Sequence, residues 1–270
     1  MTDASDAERD GHEVRGVVVD LDGTVYRGDG ALPGASEAIQ RLRDRGIRVC
    51  FCSNNPTKTP AEYVDRLAGM GIDADESTIL PASTVTRDYL REHHPDDPTY
   101  VVGSDSLAAY LRESGQPLVD GPRDADVYVA SWDEAFDYAE MRGALAGIDA
   151  ETTFLGTDPD RTIPTADGFV PGSGAIVGAV ARTVGREPDR VLGKPSREAA
   201  EAALDRLGVP AEACLVVGDR LDTDLRMGAD HGMATALVLT GVATRADAAA
   251  SDVDPDHVLD SLADLPAVLP

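Results

Sequence analysis

The sequence predicts an α/β protein: a Rossmann-like parallel-sheet core carrying a large inserted α/β domain. Three observations lead there. First, short apolar runs end abruptly in polar residues four times: Val17-Val18-Val19 before Asp20, Arg48-Val49-Cys50-Phe51-Cys52 before Ser53, Val191-Leu192 before Gly193-Lys194, and Cys214-Leu215-Val216-Val217 before Gly218-Asp219. Runs of this kind read as buried parallel strands whose C-terminal ends open onto a crevice, where open α/β sheets bind ligands. Second, segments with helical spacing alternate with them: Leu32 to Arg45, Lys58 to Met70, and Ala199 to Leu207, the last closed by Gly208. Third, two of the four runs lie before residue 56 and two after residue 190, so a long stretch separates the halves of one sheet.

The expected partition is therefore 1–81 for the first part of the core, 82–187 for the insertion and 188–270 for the second part. The insertion repeats the alternation in miniature. Tyr100 to Gly103 reads as a strand, followed by a helix to Glu113, a strand at Val127 to Ala130, a helix from Tyr138 to Ala146 and a strand at Thr153 to Leu155. Thr244 to Pro255, rich in Asp and Ala, is the weakest part of the core. Gly172, Gly174 and Gly178 imitate a dinucleotide fingerprint, but the third glycine is one place too far and no strand directly precedes them. Their expected role is a turn and helix start carrying the chain back from insertion to core.

The polar strand ends carry the chemistry. Asp20-Leu21-Asp22-Gly23-Thr24 presents two carboxylates one residue apart, and Gly23 lets the backbone turn and expose its N–H groups. Taken alone, Asp22-Gly23 also reads as a simple turn. Ser53-Asn54-Asn55 adds a hydroxyl and two amides. Gly193-Lys194-Pro195 adds one ammonium, and Asp219, Asp222 and Asp224 form a cluster too dense to be comfortable without a cation.

Charge narrows the function classes. The chain of 270 residues carries a formal net charge of −25, with only two lysines, Lys58 and Lys194. Such a surface repels nucleic acid, and no apolar stretch is long enough for a membrane span. The polar opening from Met1 to Glu13 lacks a signal peptide's apolar region, so a cytoplasmic protein is expected. The acidity reads as halophilic adaptation, since molar salt screens such repulsion. In a chain that uses arginine nearly everywhere else, Lys194 suggests a task for a compact ammonium. Cys50, Cys52 and Cys214 are expected to be buried as small hydrophobes, with no disulfide framework.

These four ordered segments resemble the motifs of the haloacid dehalogenase superfamily, and their variants are similar to its class IIA phosphatases. Pro33-Gly34-Ala35, Thr157-Asp158-Pro159-Asp160, Pro164, Gly168 and Pro171-Gly172-Ser173-Gly174 extend the likeness to nearly the whole chain. The resemblance implies a Mg²⁺-dependent phosphatase acting on a small phosphorylated metabolite, with an inserted cap over the site. Asp20 would be the nucleophile and Asp22 the general acid and base; Ser53, Asn54, Lys194 and the amides around Gly23 would hold the phosphoryl oxygens. The metal ligands would be the Asp20 carboxylate, the Asp22 backbone carbonyl and Asp219, with Asp224 orienting metal-bound water. Whether Asp222 also approaches the metal stays open.

Trp132, the single tryptophan, is the candidate reader of the organic part of the ester, with the loop from Asp160 to Asp167 as the opposite wall; ordinary cap packing is the alternative. Arg161-Thr162-Ile163 departs from better-studied relatives, which leaves the substrate unnamed. No nucleic-acid or membrane partner is expected, and a homo-oligomer through the cap is compatible with the resemblance. A dehalogenase would not need Asp22, a P-type ATPase would have threonine there, and a phosphomutase would carry its insertion after the first motif. The alternative from another class is a catalytically silent phosphate-binding regulator.

Overall fold

The computed structural model describes residues 13–165 and 168–269. The first part of the core runs from β1 (Gly16–Val19) through a short hairpin, β2 (Tyr26–Arg27) and β3 (Gly30–Ala31), to α1 (Ala35–Asp44), β4 (Arg48–Ser53), α2 (Pro60–Gly69), β5 (Ile79–Pro81) and α3 (Ala82–His93). The cap follows: β6 (Thr99–Val102), α4 (Asp105–Glu113), β7 (Val127–Ala130), α5 (Tyr138–Gly147), β8 (Thr153–Gly156), the hairpin β9 (Thr162–Thr165) and β10 (Gly168–Pro171), α6 (Ser173–Val184) and β11 (Arg190–Val191). The return is α7 (Arg197–Leu207), β12 (Cys214–Gly218), a π-helical turn at Leu221–Leu225, α8 (Arg226–Asp230), β13 (Ala234–Val238), α9 (Arg245–Ala250), β14 (His257–Leu259) and α10 (Leu265–Val268).

The core is a parallel sheet in the order β14-β13-β12-β1-β4-β5. Strand β1 sits in the middle because its four residues are apolar or glycine and fully buried on both faces. Val17 and Val19 pack with Ile39, Leu42, Tyr63 and Leu67 of α1 and α2. Val18 faces the other way, into an apolar cluster that includes Cys50, Cys52, Cys214 and Ala203 of α7. All three cysteines are buried and free, and burial pushes the Cys52 thiol up to about 11, so they pack as hydrophobes. Helix α2 starts where Thr59 and Glu62 form a reciprocal capping box ahead of Pro60, which fixes the direction of the helix behind the β4 edge.

The cap sheet has the order β11-β8-β7-β6, also parallel. Its outer helices bury Tyr128, Phe154, Ile176 and Val180 in a cluster of their own. Two expectations change here. Arg190–Val191, assigned to the core by the 187/188 boundary, pairs with Leu155–Gly156 and forms the edge of the cap sheet. A two-residue strand has no periodicity of its own, and pairing with β8 satisfies its backbone. The helix begun at Gly172 also stays with the cap, packing on β7, rather than leading straight back to the core. Its glycines serve close approach: a Cβ on Gly172 or Gly174 would overlap the carbonyl of Asp160 or Pro159, respectively. Among the described residues, no helix is long and apolar enough to cross a membrane.

Candidate active site

Register in the central strands makes the site. Val19 pairs with Phe51 on one side and Val217 on the other, so Asp20, Ser53 and Asp219 emerge from three adjacent strands at one edge. Lys194 arrives from the cap-to-core return and is buried beneath them, 2 % exposed. Its Nζ donates to Asp20 Oδ1 at 2.6 Å and to the Cys52 carbonyl at 2.8 Å, and lies 2.6 Å from Asp224 Oδ1. The hydroxyl of Thr24 donates to the other Asp20 oxygen at 3.1 Å. Asp219 is held by the Val242 N–H at 2.7 Å, and Asp224 by the Arg220 N–H at 3.2 Å.

Two glycines make room for this packing. Gly23 adopts φ 88° and a Cβ there would sit 2.6 Å from Asp219 Oδ2; a Cβ on Gly241 would overlap the same carboxylate. Gly23 thus acts by closeness and by turning, at the position the sequence proposed for phosphate-binding amides.

Asp20, Asp219 and Asp224 each offer an oxygen within 4.8 Å of the others, all three buried. Burial raises Asp20 above its usual value against the opposing pull of Lys194, raises Asp219 well above it with the charges of Asp20 and Asp224 adding, and pushes Asp224 up to about 6. Burial alone would lower Lys194, but the carboxylates of Asp20 and Asp224 more than reverse this and keep it protonated. Three carboxylates against one ammonium leave an excess of negative charge and an all-oxygen donor set, which fits a hard divalent cation. Asp224 lies as close to the cluster as the two expected carboxylate ligands. Asp222 does not join it: its side chain is 67 % exposed and pairs with Arg220 at 3.2 Å.

The cavity above this edge is lined by Asp20, Asp22, Ser53, Asn54, Lys194 and Asp219 from the core. From the cap come Asp158, Asp160, Thr162, Ile163 and Pro164. Of the expected wall from Asp160 to Asp167, Ala166 and Asp167 lie outside the described residues. Trp132 is not among the lining residues; it is half-buried in the turn after β7.

Asp158, Arg220, Tyr63 and Tyr26 stand at the site with no role in the sequence reading, and Asn54, expected to hold phosphoryl oxygens, has further partners. Asn54 Nδ2 donates to Asp160 Oδ1 at 3.2 Å and to the Lys194 carbonyl at 3.0 Å, joining cap to core, and Arg220 lies 3.8 Å from the same Asp160 oxygen. Burial, with the nearby Asp160 charge, pushes Asp158 up to about 8. Tyr63 lies 3.3 Å from the Ser53 hydroxyl, and the Tyr26 hydroxyl donates to Asp22 Oδ2 at 3.3 Å. Asp158 was signalled only by its place in the Thr157-Asp158-Pro159-Asp160 segment, Asp160 also as the start of the expected wall, and the tyrosines had no signal.

Comparison with known proteins agrees with this geometry. The family model for haloacid dehalogenase-like hydrolases matches residues 17–116, and a HAD-hydrolase-like model matches residues 191–265. The sugar-phosphatase AraL of Bacillus subtilis is 35 % identical over 93 % of this chain and 91 % of its own, and an acid sugar phosphatase of Staphylococcus aureus is 34 % identical over 91 % and 94 %. Among solved structures, a p-nitrophenyl phosphatase from Archaeoglobus fulgidus superposes with a TM-score of 0.89 at 33 % identity, covering 95 % of this chain and all of its own. NagD from Escherichia coli K-12 gives 0.84 at 28 %, covering 93 % and 98 %. With four motif segments gathered at one sheet edge and relatives matched along nearly the full length, the chain belongs to the haloacid dehalogenase-like hydrolases, on the class IIA side to which its motifs pointed.

Proposed function

We propose that the protein is a Mg²⁺-dependent phosphatase that hydrolyses small phosphate monoesters through an aspartyl-phosphate. The observation that carries this is the buried set of Asp20, Lys194, Asp219 and Asp224 beneath a cavity that Asp22, Ser53 and Asn54 also line. Asp20, oriented by Lys194 and Thr24, attacks phosphorus; the bond to the ester oxygen breaks with its electron pair staying on that oxygen, which takes a proton from Asp22. Asp22, now a carboxylate, removes a proton from the water that attacks the acyl-phosphate, releasing phosphate and restoring Asp20. Lys194, Ser53 and Asn54 are placed to receive the phosphoryl oxygens. Asp20, the Asp22 carbonyl and Asp219 would hold the metal, with Asp224 beside them. When bound, Mg²⁺ neutralises the charge that otherwise opposes attack by a carboxylate on a phosphate.

Relatives named as sugar and p-nitrophenyl phosphatases support a small phosphorylated substrate. The cap side of the cavity, where Asp158, Asp160, Thr162 and Ile163 stand, is the place to read its organic part. The test is release of p-nitrophenol from p-nitrophenyl phosphate with Mg²⁺ present and after chelation. Asp20→Asn and metal removal should each lower turnover by at least about 10³-fold. Wild type no faster than Asp20→Asn would remove the enzymatic reading.

We also attribute the charge of −25 to a high-salt working environment. The melting temperature should then rise as KCl approaches molar levels. A flat dependence would assign the acidity another cause.

A further inference from the structure

Behind the reacting groups lies a set of side chains that the proposed chemistry does not use. Helix α2 carries Tyr63 and Arg66 three residues apart, on one face. The guanidinium carbon of Arg66 sits 4.4 Å from the centre of the Tyr26 ring, and its Nη2 donates to the Gly28 carbonyl. Tyr26 is 1 % exposed, and its hydroxyl reaches Asp22 Oδ2 at 3.3 Å. On the other flank of the β2–β3 hairpin, Arg27 donates to the Thr240 carbonyl, while the Thr240 hydroxyl donates to the Gly23 carbonyl at 2.6 Å. The hairpin that begins beside Asp22 is therefore tied down on both sides, and Tyr26 is its one side chain touching the carboxyl.

We infer that Tyr26, held by Arg66, is a positioning residue that aims Asp22 at the leaving group. A carboxylic acid can give up its proton from either oxygen, and only one of them can face the ester. A hydroxyl donating to Oδ2 makes that oxygen an acceptor, so the transferable proton resides on Oδ1. The same contact fixes the carboxyl's rotation without adding a charge. A ring buried only for packing would need neither the hydroxyl's direction nor a cation over its face. The inference rests on the phosphatase reading and on the role proposed there for Asp22.

Phenyl phosphate and p-nitrophenyl phosphate separate the two, because phenolate is far the poorer leaving group and depends more on protonation. Tyr26→Phe keeps the packed ring and removes only the hydroxyl. It should lower kcat on phenyl phosphate about tenfold more than on p-nitrophenyl phosphate, with each KM within about twofold of wild type. Arg66→Met should shift the same ratio in the same direction, by about threefold. An unchanged kcat ratio in folded Tyr26→Phe overturns the inference while leaving the phosphatase reading intact. If Tyr26→Phe does not fold, an unchanged ratio in Arg66→Met overturns it. A wild type inactive on both esters removes the phosphatase reading, and this inference with it.

Discussion

The core edge and the cap wall enclose one cavity but hold their charges by different means. At the core edge, carboxylates are fixed by strand ends and balanced by a buried ammonium: Asp20 and Asp224 each lie 2.6 Å from Lys194 Nζ. On the cap, Asp158 is equally buried, but it is held by hydroxyl and backbone donors, Thr157 Oγ1 at 3.0 Å and the Asp160 N–H at 3.1 Å. No cation is paired with Asp158 among the described residues; Arg220, from the core, reaches Asp160 of the cap. Burial without a counterion favours a neutral acid, whereas burial against Lys194 organises a charged site. The core edge is thus suited to binding charge and the cap wall to meeting an uncharged polar group.

The strongest way to break this contrast is to remove the core's cation. Lys194→Met should abolish phosphatase activity and cost about 3 kcal/mol in urea denaturation without metal, because three buried carboxylates lose their counterion. Added Mg²⁺ should restore part of that stability by binding the same oxygens. A variant as stable as wild type would mean that the carboxylates are already neutral and that the two regions do not differ.

A smaller effect sharpens the cap side. The carboxyl of Asp158, raised from 3.8 to about 8, takes up its proton more readily in the folded chain than in the unfolded one. Its contribution is fully present below about pH 4, declines as pH rises toward 8 and is gone above that. Asp158→Asn lacks this titration. Its stability relative to wild type should improve by on the order of 1 kcal/mol between pH 6 and pH 8. Parallel pH curves for the two proteins would show that Asp158 is charged in the fold.

Legibility in the sequence follows the same division. The core site could be read because a strand buried on both faces must be continuously apolar, so its end is marked by the first polar residue, as at Asp20, Ser53 and Asp219. Lys194 stood out as one of two lysines. The place of Asp224 was harder to see, since the π-helical turn at Leu221–Leu225 brings it back against Gly218, and a turn of that kind has no compositional signature. In the cap, β6, α4, β7, α5 and β8 were readable from their periodicity, whereas β9, β10 and β11 were not. Part of the cavity wall was legible too, since Asp160, Thr162, Ile163 and Pro164 of the expected 160–167 wall line it; the place of Asp158 and the β9–β10 pairing were not, because they follow from tertiary contact. Trp132 attracted attention by rarity, by its place after β7 and by the family resemblance, none of which fixes which way a side chain faces.

The placing of β1 between β4 and β12 also governs how the molecule is assembled. Gly16 pairs with Arg48 nearby in the chain and with Cys214 about two hundred residues away. The first pairing is available early in synthesis; the second waits until most of the chain has been made. Because loop-closure entropy grows only slowly with length, a cap that collapses on its own core turns the long excursion into a compact bridge rather than a penalty. Asp20 and Asp22 therefore leave the ribosome long before Lys194 and Asp219, and no N-terminal fragment ending before β12 can contain the whole site.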